Sequence, residues 1–309
     1  MSKLDSLPNL EGTRIAITGA GGQLGRYLAP AARSLGAKVL AMGSRLDEGI
    51  DVAVNLTEQA TTAKVLVHFR PEIIIHAAAC TDVDGIELDP VRGLRGNVLA
   101  SQNIGVAAKL VDAYLLAIST DMVFSGTQAV PYEEDHAPDP VSQYGRSKLA
   151  AEQVILNESQ SFGVARTSWL YGGAGKHFPR TVLSVLKSRG SMEVVDDEIG
   201  SPTFAGDLAV ALIFLANARG AGVFHLANQG AVSRYGLAAA TAEIAGLDPR
   251  SVTPTSTRNF LQKHPLPAKR PSTSPLRNTR GAERGADLPH WQDGLRRYVP
   301  LLASELELP

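Results

Sequence analysis

The chain has 309 residues, of which 44% are hydrophobic, and its formal net charge at neutral pH is −1. That length fits one large domain joined to a smaller one, and the near-neutral charge argues against nucleic acid or a membrane as the main partner. No apolar run reaches the ~20 residues of a membrane span, and the single cysteine, Cys80, suits a reducing compartment, so we expect a cytoplasmic protein.

A short apolar strand followed by a glycine-rich turn opens the chain. Arg14–Thr18 has the composition of a buried strand, and a helical pattern follows over residues 22–35. Glycines at 19, 22 and 25 allow a tight turn, close approach of the backbone to a pyrophosphate, and close packing of helix on strand. The segment predicts a dinucleotide-binding turn rather than a flexible loop.

The end of the second predicted strand, residues 38–42, bears on the choice of cofactor. A carboxylate at this position would hold the 2′-hydroxyl of NAD, but the chain continues with Ser44 and Arg45 and has no acid before Asp47. An arginine and a hydroxyl suit the 2′-phosphate of NADP better. We therefore expect NADPH, with NADH as the alternative if Asp47 swings back and Arg45 is merely solvated.

Strand-like and helical segments alternate through the first half of the chain. They are a helix over 58–69, a strand at Ile73–His76, a mostly helical stretch over 90–110, a strand ending at Ser119, a helix carrying Tyr144, and a strand at Gly163–Thr167. This alternation predicts an α/β fold with a Rossmann-type, doubly wound parallel sheet whose ligands bind at the carboxyl ends of the strands. Gly93 and Gly96 each cost about 1 kcal/mol relative to alanine, so that helix should start late or pack unusually close.

Shorter elements follow Tyr171, which predicts a second, smaller domain. The pattern indicates helices over 178–187, 206–216 and 235–245 and a strand over 223–226. We expect an NAD(P)-binding Rossmann domain over residues 1–170 and a mainly substrate-binding C-terminal domain over 171–309. Residues 204–246 are expected to return to the Rossmann domain.

The segment between Asp248 and Glu283 is cationic and rich in proline. It contains no aspartate or glutamate, while seven lysines and arginines and several prolines fall inside it. Such a segment is typical of a mobile linker, or of a lid that meets an anionic ligand, because arginines suit phosphate groups.

Candidate catalytic groups come from two places in the chain. Helical spacing puts Tyr144 and Lys148 on one face, and Thr120 follows the apolar run 114–118 at a strand end. A nearby ammonium favours phenolate and lowers a tyrosine pKa from its usual ~10, which lets the phenol exchange a proton with a carbonyl or carbinol oxygen. The motif predicts carbonyl reduction or alcohol oxidation, and an exposed pair on a surface helix is the alternative.

Eight segments in this order resemble the extended short-chain dehydrogenase/reductases, and within them the dTDP-4-dehydrorhamnose reductase family and its sugar-nucleotide-reductase relatives. The segments are residues 18–25 (TGAGGQLG), 76–84 (HAAACTDVD), 119–126 (STDMVFSG), 131–135 (PYEED), 144–149 (YGRSKL), 166–171 (RTSWLY), 200–203 (GSPT) and 270–276 (RPSTSPL). They span nearly the whole chain, so the resemblance concerns the full fold.

The resemblance implies NADPH-dependent reduction of a nucleotide-linked 4-keto-6-deoxy sugar, dTDP-4-dehydro-L-rhamnose or a close analogue. Tyr144 would donate the proton, Thr120 would share the bond to the sugar's C4 oxygen, and Lys148 would bind the nicotinamide ribose. Together with the glycine turn, the expected cofactor-binding residues are Gly19, Gly22, Gln23, Leu24, Gly25, Ser44, Arg45, Asn55, Leu56, Ala77, Ala78, Ala79, Thr81, Tyr144 and Lys148. The expected substrate-binding residues are Val83, Asp121, Trp169 and Arg270, with Arg270 facing the diphosphate.

Some residues depart from the family pattern. Met122 stands where many relatives carry an aromatic residue, and Tyr27 stands where some use a glutamate for a metal at a dimer interface. We therefore expect no metal, and a monomer or a homodimer. A nucleotide-sugar epimerase or dehydratase is one alternative, although a dehydratase commonly has an acid pair where Asp121 is followed by Met122. A non-catalytic NADP-binding subunit like the regulator of methionine adenosyltransferase is the other.

Overall fold

The computed structural model describes residues 8–308; residues 1–7 and 309, at the ends of the two predicted domains, lie outside the described residues. The strands are β1 (Arg14–Thr18), β2 (Lys38–Gly43), β3 (Val52–Ala53), β4 (Ile73–His76), β5 (Tyr114–Thr120), β6 (Gly163–Thr167), β7 (Leu170–Tyr171), β8 (Met192–Val195), β9 (Ile199–Gly200), β10 (Thr203–Phe204), β11 (Gly222–His225), β12 (Val232–Ser233) and β13 (Val252–Thr255). The α-helices are α1 (Gly25–Ser34), α2 (Gln59–Phe69), α3 (Val83–Leu88), α4 (Pro90–Gly93), α5 (Ala100–Leu110), α6 (Gln143–Glu158), α7 (Phe178–Arg189), α8 (Ala205–Asn217), α9 (Arg234–Ile244), α10 (Thr257–Lys263), α11 (Arg280–Glu283) and α12 (Trp291–Glu305). None of these helices combines the length and apolarity that a bilayer crossing requires.

A parallel sheet of seven strands forms the centre of the molecule, in the order β11-β6-β5-β4-β1-β2-β3. Its strands are apolar on both faces because helices cover both sides. One face packs against α1 and α8, with Ile15 and Ile17 of β1 in that core. The other packs against α2, α5 and α6, with Ala16 of β1 and Ile74 of β4 inside. The predicted doubly wound α/β fold is confirmed.

The last strand of the sheet comes from far along the chain. β11 pairs in parallel with β6, from Gly222 opposite Gly163 to His225 opposite Arg166. α8, which precedes it, lies against α1. By contrast, α9 packs against α7 and α12 in a separate apolar cluster. The domain boundaries given above stay a prediction.

The segment after Asp248 differs from the expected cationic loop. It contains a strand, β13, paired in parallel with β8, and a helix, α10. In the described part of the chain, four of its seven cations pair with carboxylates from elsewhere in the fold; for example, Lys263 contacts Glu193 at 2.8 Å, and Arg277 contacts Glu133 at 2.8 Å. The absence of aspartate and glutamate from the segment therefore did not indicate a mobile linker, because carboxylates on distant elements pair with its lysines and arginines.

The helical stretch with two glycines packs unusually close, as expected. It runs through α4, a π-helical segment (Leu94–Leu99) and α5. A Cβ atom on Gly96 would lie 2.9 Å from the Cβ of Cys80. The Asn97 amide exchanges hydrogen bonds with the Cys80 backbone and donates to Ser147 Oγ at 2.9 Å. The π-helical segment thus joins the loop after β4 to α6, and such segments often occur at functional sites.

Candidate active site

The glycine turn between β1 and α1 has the geometry of an anion-binding turn. Gly19 has φ of +66°, and a Cβ atom there would lie 2.7 Å from the backbone nitrogen of Ala78. The backbone N–H groups of Gln23 and Leu24, just before α1, find no acceptor within residues 8–308. Free N–H groups and the positive end of a helix together favour a phosphate group. The turn therefore fits the diphosphate of a dinucleotide.

Replacing Gly25 with alanine is expected to destabilise this turn by about 1–3 kcal/mol or more, the range for overpacking a tight site. A Cβ atom at Gly25 would lie 2.3 Å from the Gly19 carbonyl oxygen and 2.4 Å from the Ala20 Cα, which are backbone atoms. Urea denaturation and NADPH titration measure the two losses. Gly175→Ala is the control, because a Cβ there meets nothing within 4 Å, and equal effects of both changes would contradict the expectation.

A cavity of about 830 Å³ lies at the carboxyl ends of β1, β2 and β4. Nine of the residues predicted to bind the cofactor line it: Gly19, Gly22, Ser44, Arg45, Asn55, Leu56, Ala77, Ala78 and Ala79. The other predicted residues, Gln23, Leu24, Gly25, Thr81, Tyr144 and Lys148, are not part of its lining. Met42, Arg26 and Gly96 are among the further lining residues that were not predicted to bind the cofactor.

The electrostatics at the end of β2 favour a phosphate over a hydroxyl. Ser44 and Arg45 are exposed at the cavity. Asp47, the nearest acid, lies 3.6 Å from Arg26 and is partly neutralised by it. Asn55 donates to Glu58 at 3.0 Å, so its amide is held at the cavity edge.

Thr120, Tyr144 and Lys148 meet at the end of β5. Tyr144 and Lys148 are 8% and 5% exposed, so the alternative of an exposed surface pair is wrong. The Lys148 Nζ donates to the Ile118 carbonyl oxygen at 2.8 Å, which ties α6 to β5. The Thr120 hydroxyl acts to lower the pKa of Tyr144, but burial outweighs that effect. The three residues are therefore buried together near the end of β5.

The pKa of Tyr144 differs in direction from the expectation that Lys148 would lower it. Burial is the main cause of a raised pKa, and the negative charge of Asp121 adds to it. The Lys148 ammonium is committed to the Ile118 carbonyl instead. Tyr144 therefore carries its proton at neutral pH, which is the form a proton donor needs.

Lys148 is the member of the group that titrates near neutrality. Burial lowers its pKa to about 8, and the Glu152 carboxylate one turn along α6 opposes that shift. The lysine is charged below this pH and neutral above it. Proton loss here removes the cation from the end of β5.

Activity is expected to fall as the pH rises through about 8, because the charged lysine is lost. The quantity to measure is kcat/KM for NADPH against pH, since it reports pKa values of the free enzyme. Lys148→Arg is the control: a guanidinium stays protonated, so the alkaline fall should disappear from this range. An unchanged alkaline limb in that variant would assign the titration to another group.

Asp121 is buried and fully engaged. It accepts hydrogen bonds from Thr120 Oγ1 at 3.1 Å and from Ser274 Oγ at 2.6 Å. Burial raises its pKa, with the Ser274 hydrogen bond opposing that shift. These contacts orient the threonine hydroxyl and join the end of β5 to the C-terminal segment.

The remaining substrate-binding candidates lie around the first turn of α3 and the C-terminal segment. Val83 is the first residue of α3, and the next residue, Asp84, holds the Arg270 guanidinium by contacts of 2.6 and 2.9 Å. Arg270 therefore faces a carboxylate here, where the resemblance led us to expect a diphosphate. Trp169 has φ of +44°, and its ring covers Gly200.

Sequence reasoning missed two charged groups at the site. Arg234 stacks on Trp169, with its guanidinium carbon 3.6 Å from the ring centroid. Glu152 forms a buried ion pair with Arg166 at 2.7 Å and accepts a hydrogen bond from Ser119. The spacing of Glu152 one turn after the lysine is the only signal in the sequence that points to this second group.

Tyr27 fills the position at which some relatives use a glutamate. Its ring packs edge-on against Phe204, with centroids 5.5 Å apart. Burial raises its pKa, so the hydroxyl stays neutral. The expectation that the protein binds no metal at this position stays a prediction.

Comparison with known proteins adds to this geometry. The family described as "RmlD substrate binding domain" matches residues 13–303. A dTDP-4-dehydrorhamnose reductase of Mycobacterium tuberculosis is 39% identical over 302 residues, covering 96% of this chain and 95% of that protein. A probable dTDP-4,6-dihydroxy-2-methyloxan-3-one 4-ketoreductase of Streptomyces antibioticus is 35% identical, covering 94% and 97%. The crystal structure of dTDP-4-dehydrorhamnose reductase from Bacillus anthracis in complex with NADP superposes with a TM-score of 0.85 at 34% identity, covering 93% and 98%.

Proposed function

The chain belongs to the dTDP-4-dehydrorhamnose reductase family, and from this we propose that it is an NADPH-dependent reductase of a dTDP-linked 4-keto-6-deoxy sugar. Its substrate is dTDP-4-dehydro-L-rhamnose or a close analogue, and the product is the matching 4-hydroxy sugar. The two relatives described above are named for different keto sugars, which is why the proposal covers the class.

The observation that carries the proposal is the buried trio at the end of β5. Tyr144 keeps its proton at neutral pH and is the donor to the sugar's C4 oxygen. Thr120 donates to Asp121 in the ligand-free protein, and its single hydroxyl proton would turn to that oxygen when the sugar binds. The hydride that C4 receives would come from NADPH held at the glycine turn and the end of β2. The ammonium of Lys148 links α6 to β5 through a hydrogen bond and provides a positive charge for the cofactor ribose.

NADPH is favoured over NADH by the end of β2. Arg45 is an exposed cation at the cavity, and Asp47 is turned toward Arg26. A guanidinium and the Ser44 hydroxyl suit a 2′-phosphate, whereas a free carboxylate would suit a 2′-hydroxyl. The solved relative with NADP supports the same choice.

The alternatives have weaker support. A dehydratase commonly uses an acid pair after the threonine, and here Met122 follows Asp121. A regulatory subunit needs no proton donor, yet the trio is complete and buried. Both observations favour the reductase.

The function is tested by following the oxidation of the reduced cofactor, measured as the loss of absorbance of its nicotinamide ring. NADPH and NADH are each mixed with dTDP-4-dehydro-L-rhamnose and with the matching UDP sugar. We expect oxidation of NADPH with the dTDP sugar, and slower oxidation of NADH. Tight NADPH binding without turnover of any keto sugar would favour the regulatory alternative.

The composition of the chain bears on its compartment and its partners. We propose a cytoplasmic enzyme that acts as a monomer or a homodimer and binds no nucleic acid. A net charge of −1 and one free cysteine, Cys80, support this. Sedimentation analysis decides between the two oligomeric states.

A further inference from the structure

Arg234 is held in one orientation by an aromatic ring. It is the first residue of α9, and the preceding Ser233 caps that helix. Its guanidinium carbon lies 3.6 Å from the centroid of the Trp169 ring, which is stacking distance. Trp169 is itself fixed, because its ring packs closely over the Gly200 backbone. The guanidinium plane is therefore set before any ligand arrives.

The Arg234 guanidinium also has N–H donors that are available to a ligand. Its nearest carboxylate contact is Glu198, with Nε 3.6 Å from Oε2, beyond hydrogen-bond length. Among residues 8–308, the 3.6 Å contact with Glu198 is the shortest that the Arg234 side chain makes to an acidic oxygen, and its guanidinium forms no hydrogen bond. A guanidinium carries five N–H donors, and the side chain is 25% exposed. Arg234 thus combines a charge, a fixed plane and unused donors.

The neighbourhood of Arg234 is the substrate side of the site. The Arg234 backbone N–H donates to the Glu198 carbonyl oxygen at 3.0 Å, and the Ser274 backbone N–H donates to the Ile199 carbonyl oxygen at 2.8 Å, so the start of α9 lies beside the segment that carries Arg270. In agreement, the charges of Glu198, Asp121 and Arg270 all act on the pKa of Arg234, which burial lowers. The chain itself links them: Ser274, four residues after Arg270, donates to Asp121. Two guanidiniums therefore lie beside the trio that carries the reaction.

We propose that Arg234 binds the diphosphate of the nucleotide sugar together with Arg270, and so contributes to recognition of a nucleoside diphosphate carrier. This inference rests on the proposed function. The stacked, pre-oriented Arg234 donates charge-assisted hydrogen bonds to phosphate oxygens. Arg270, now paired with Asp84, contributes the second cation. A diphosphate carries enough negative charge to be shared by two guanidiniums.

The test compares ligands that differ in their phosphates. On NADPH-saturated protein, dTDP and thymidine are titrated as competitive inhibitors of keto-sugar reduction, with wild type, Arg234→Met and Arg234→Lys. Arg250→Met is the matched control, because Arg250 is 89% exposed and pairs only with its neighbour Asp248. The melting temperature and the Kd for NADPH report whether each variant is folded.

For Arg234→Met we expect dTDP to bind about 10- to 100-fold more weakly, the effect of losing charged hydrogen bonds. Thymidine should be unaffected, Arg234→Lys should show an intermediate loss for dTDP, and Arg250→Met should match wild type. Equal losses for dTDP and thymidine would overturn the proposal, because they would show that Arg234 only shapes the pocket. Unchanged dTDP binding would overturn it as well. Wild-type protein that reduces no keto sugar and binds no dTDP would instead refute the proposed function, and the inference with it.

Discussion

Replacing Tyr144 with phenylalanine is expected to lower kcat by about 10²- to 10⁴-fold, the usual contribution of a positioned general acid. The ring stays packed because only the hydroxyl is removed from a side chain that is 8% exposed. The Kd for NADPH should therefore remain close to the wild-type value. Single-turnover reduction and fluorescence titration of NADPH measure the two quantities separately.

Lys148→Ala is the informative partner of that variant. Its ammonium donates to the Ile118 carbonyl oxygen and supplies a charge near the expected ribose site, so both turnover and NADPH affinity should fall. If Tyr144→Phe and Lys148→Ala lost cofactor binding to the same degree, the separate roles assigned to the two residues would be refuted.

Replacing Arg166 with methionine is expected to lower the free energy of unfolding by about 3–5 kcal/mol, as when one partner of a buried ion pair is removed. The Arg166 and Glu152 side chains are each 4% exposed and form two hydrogen bonds, of 2.9 and 2.7 Å. The change leaves the Glu152 carboxylate buried without its cation. Urea denaturation followed by circular dichroism gives the loss directly.

Two controls sharpen this result. Arg277→Met breaks an exposed pair with Glu133 and should cost about 1 kcal/mol or less. The double variant Glu152→Met with Arg166→Met removes both charges and should recover much of the stability, because no uncompensated charge remains. A loss for Arg166→Met no larger than that for Arg277→Met would show that the buried pair does not stabilise the fold.

Much of the fold follows from local sequence patterns. β1, β4 and β6 were predicted with their observed bounds, because a parallel sheet covered on both faces needs continuous apolar runs bounded by turns. The glycine turn was also readable, since only glycine fits at φ of +66° so close to Ala78. Local patterns gave no account of β13 and α10, which depend on pairing with β8 and on carboxylates elsewhere in the chain.

The residues of the candidate site that belong to sequence motifs could be predicted, and those outside such motifs could not. The grouping of Tyr144, Lys148 and Thr120 near one strand end was predictable because helical spacing and the strand-end position bring them together; their catalytic roles stay a prediction. Arg234 escaped notice because its stacking partner, Trp169, is 65 residues away in the chain and nothing local marks it. The direction of the tyrosine pKa was missed for a related reason: burial, the largest influence on that pKa, is a property of the assembled core.

The groups proposed to move a proton and the groups proposed to surround the diphosphate come from different parts of the molecule. α6 carries Tyr144, Lys148 and Glu152 on successive turns, and Lys148 and Glu152 are hydrogen-bonded to strands of the central sheet. Arg234 and Arg270 come from the start of α9 and from the segment after α10. Substitutions in the surface that recognises the nucleotide carrier can therefore change which nucleotide sugar is bound, while the residues of α6 and β5 stay the same.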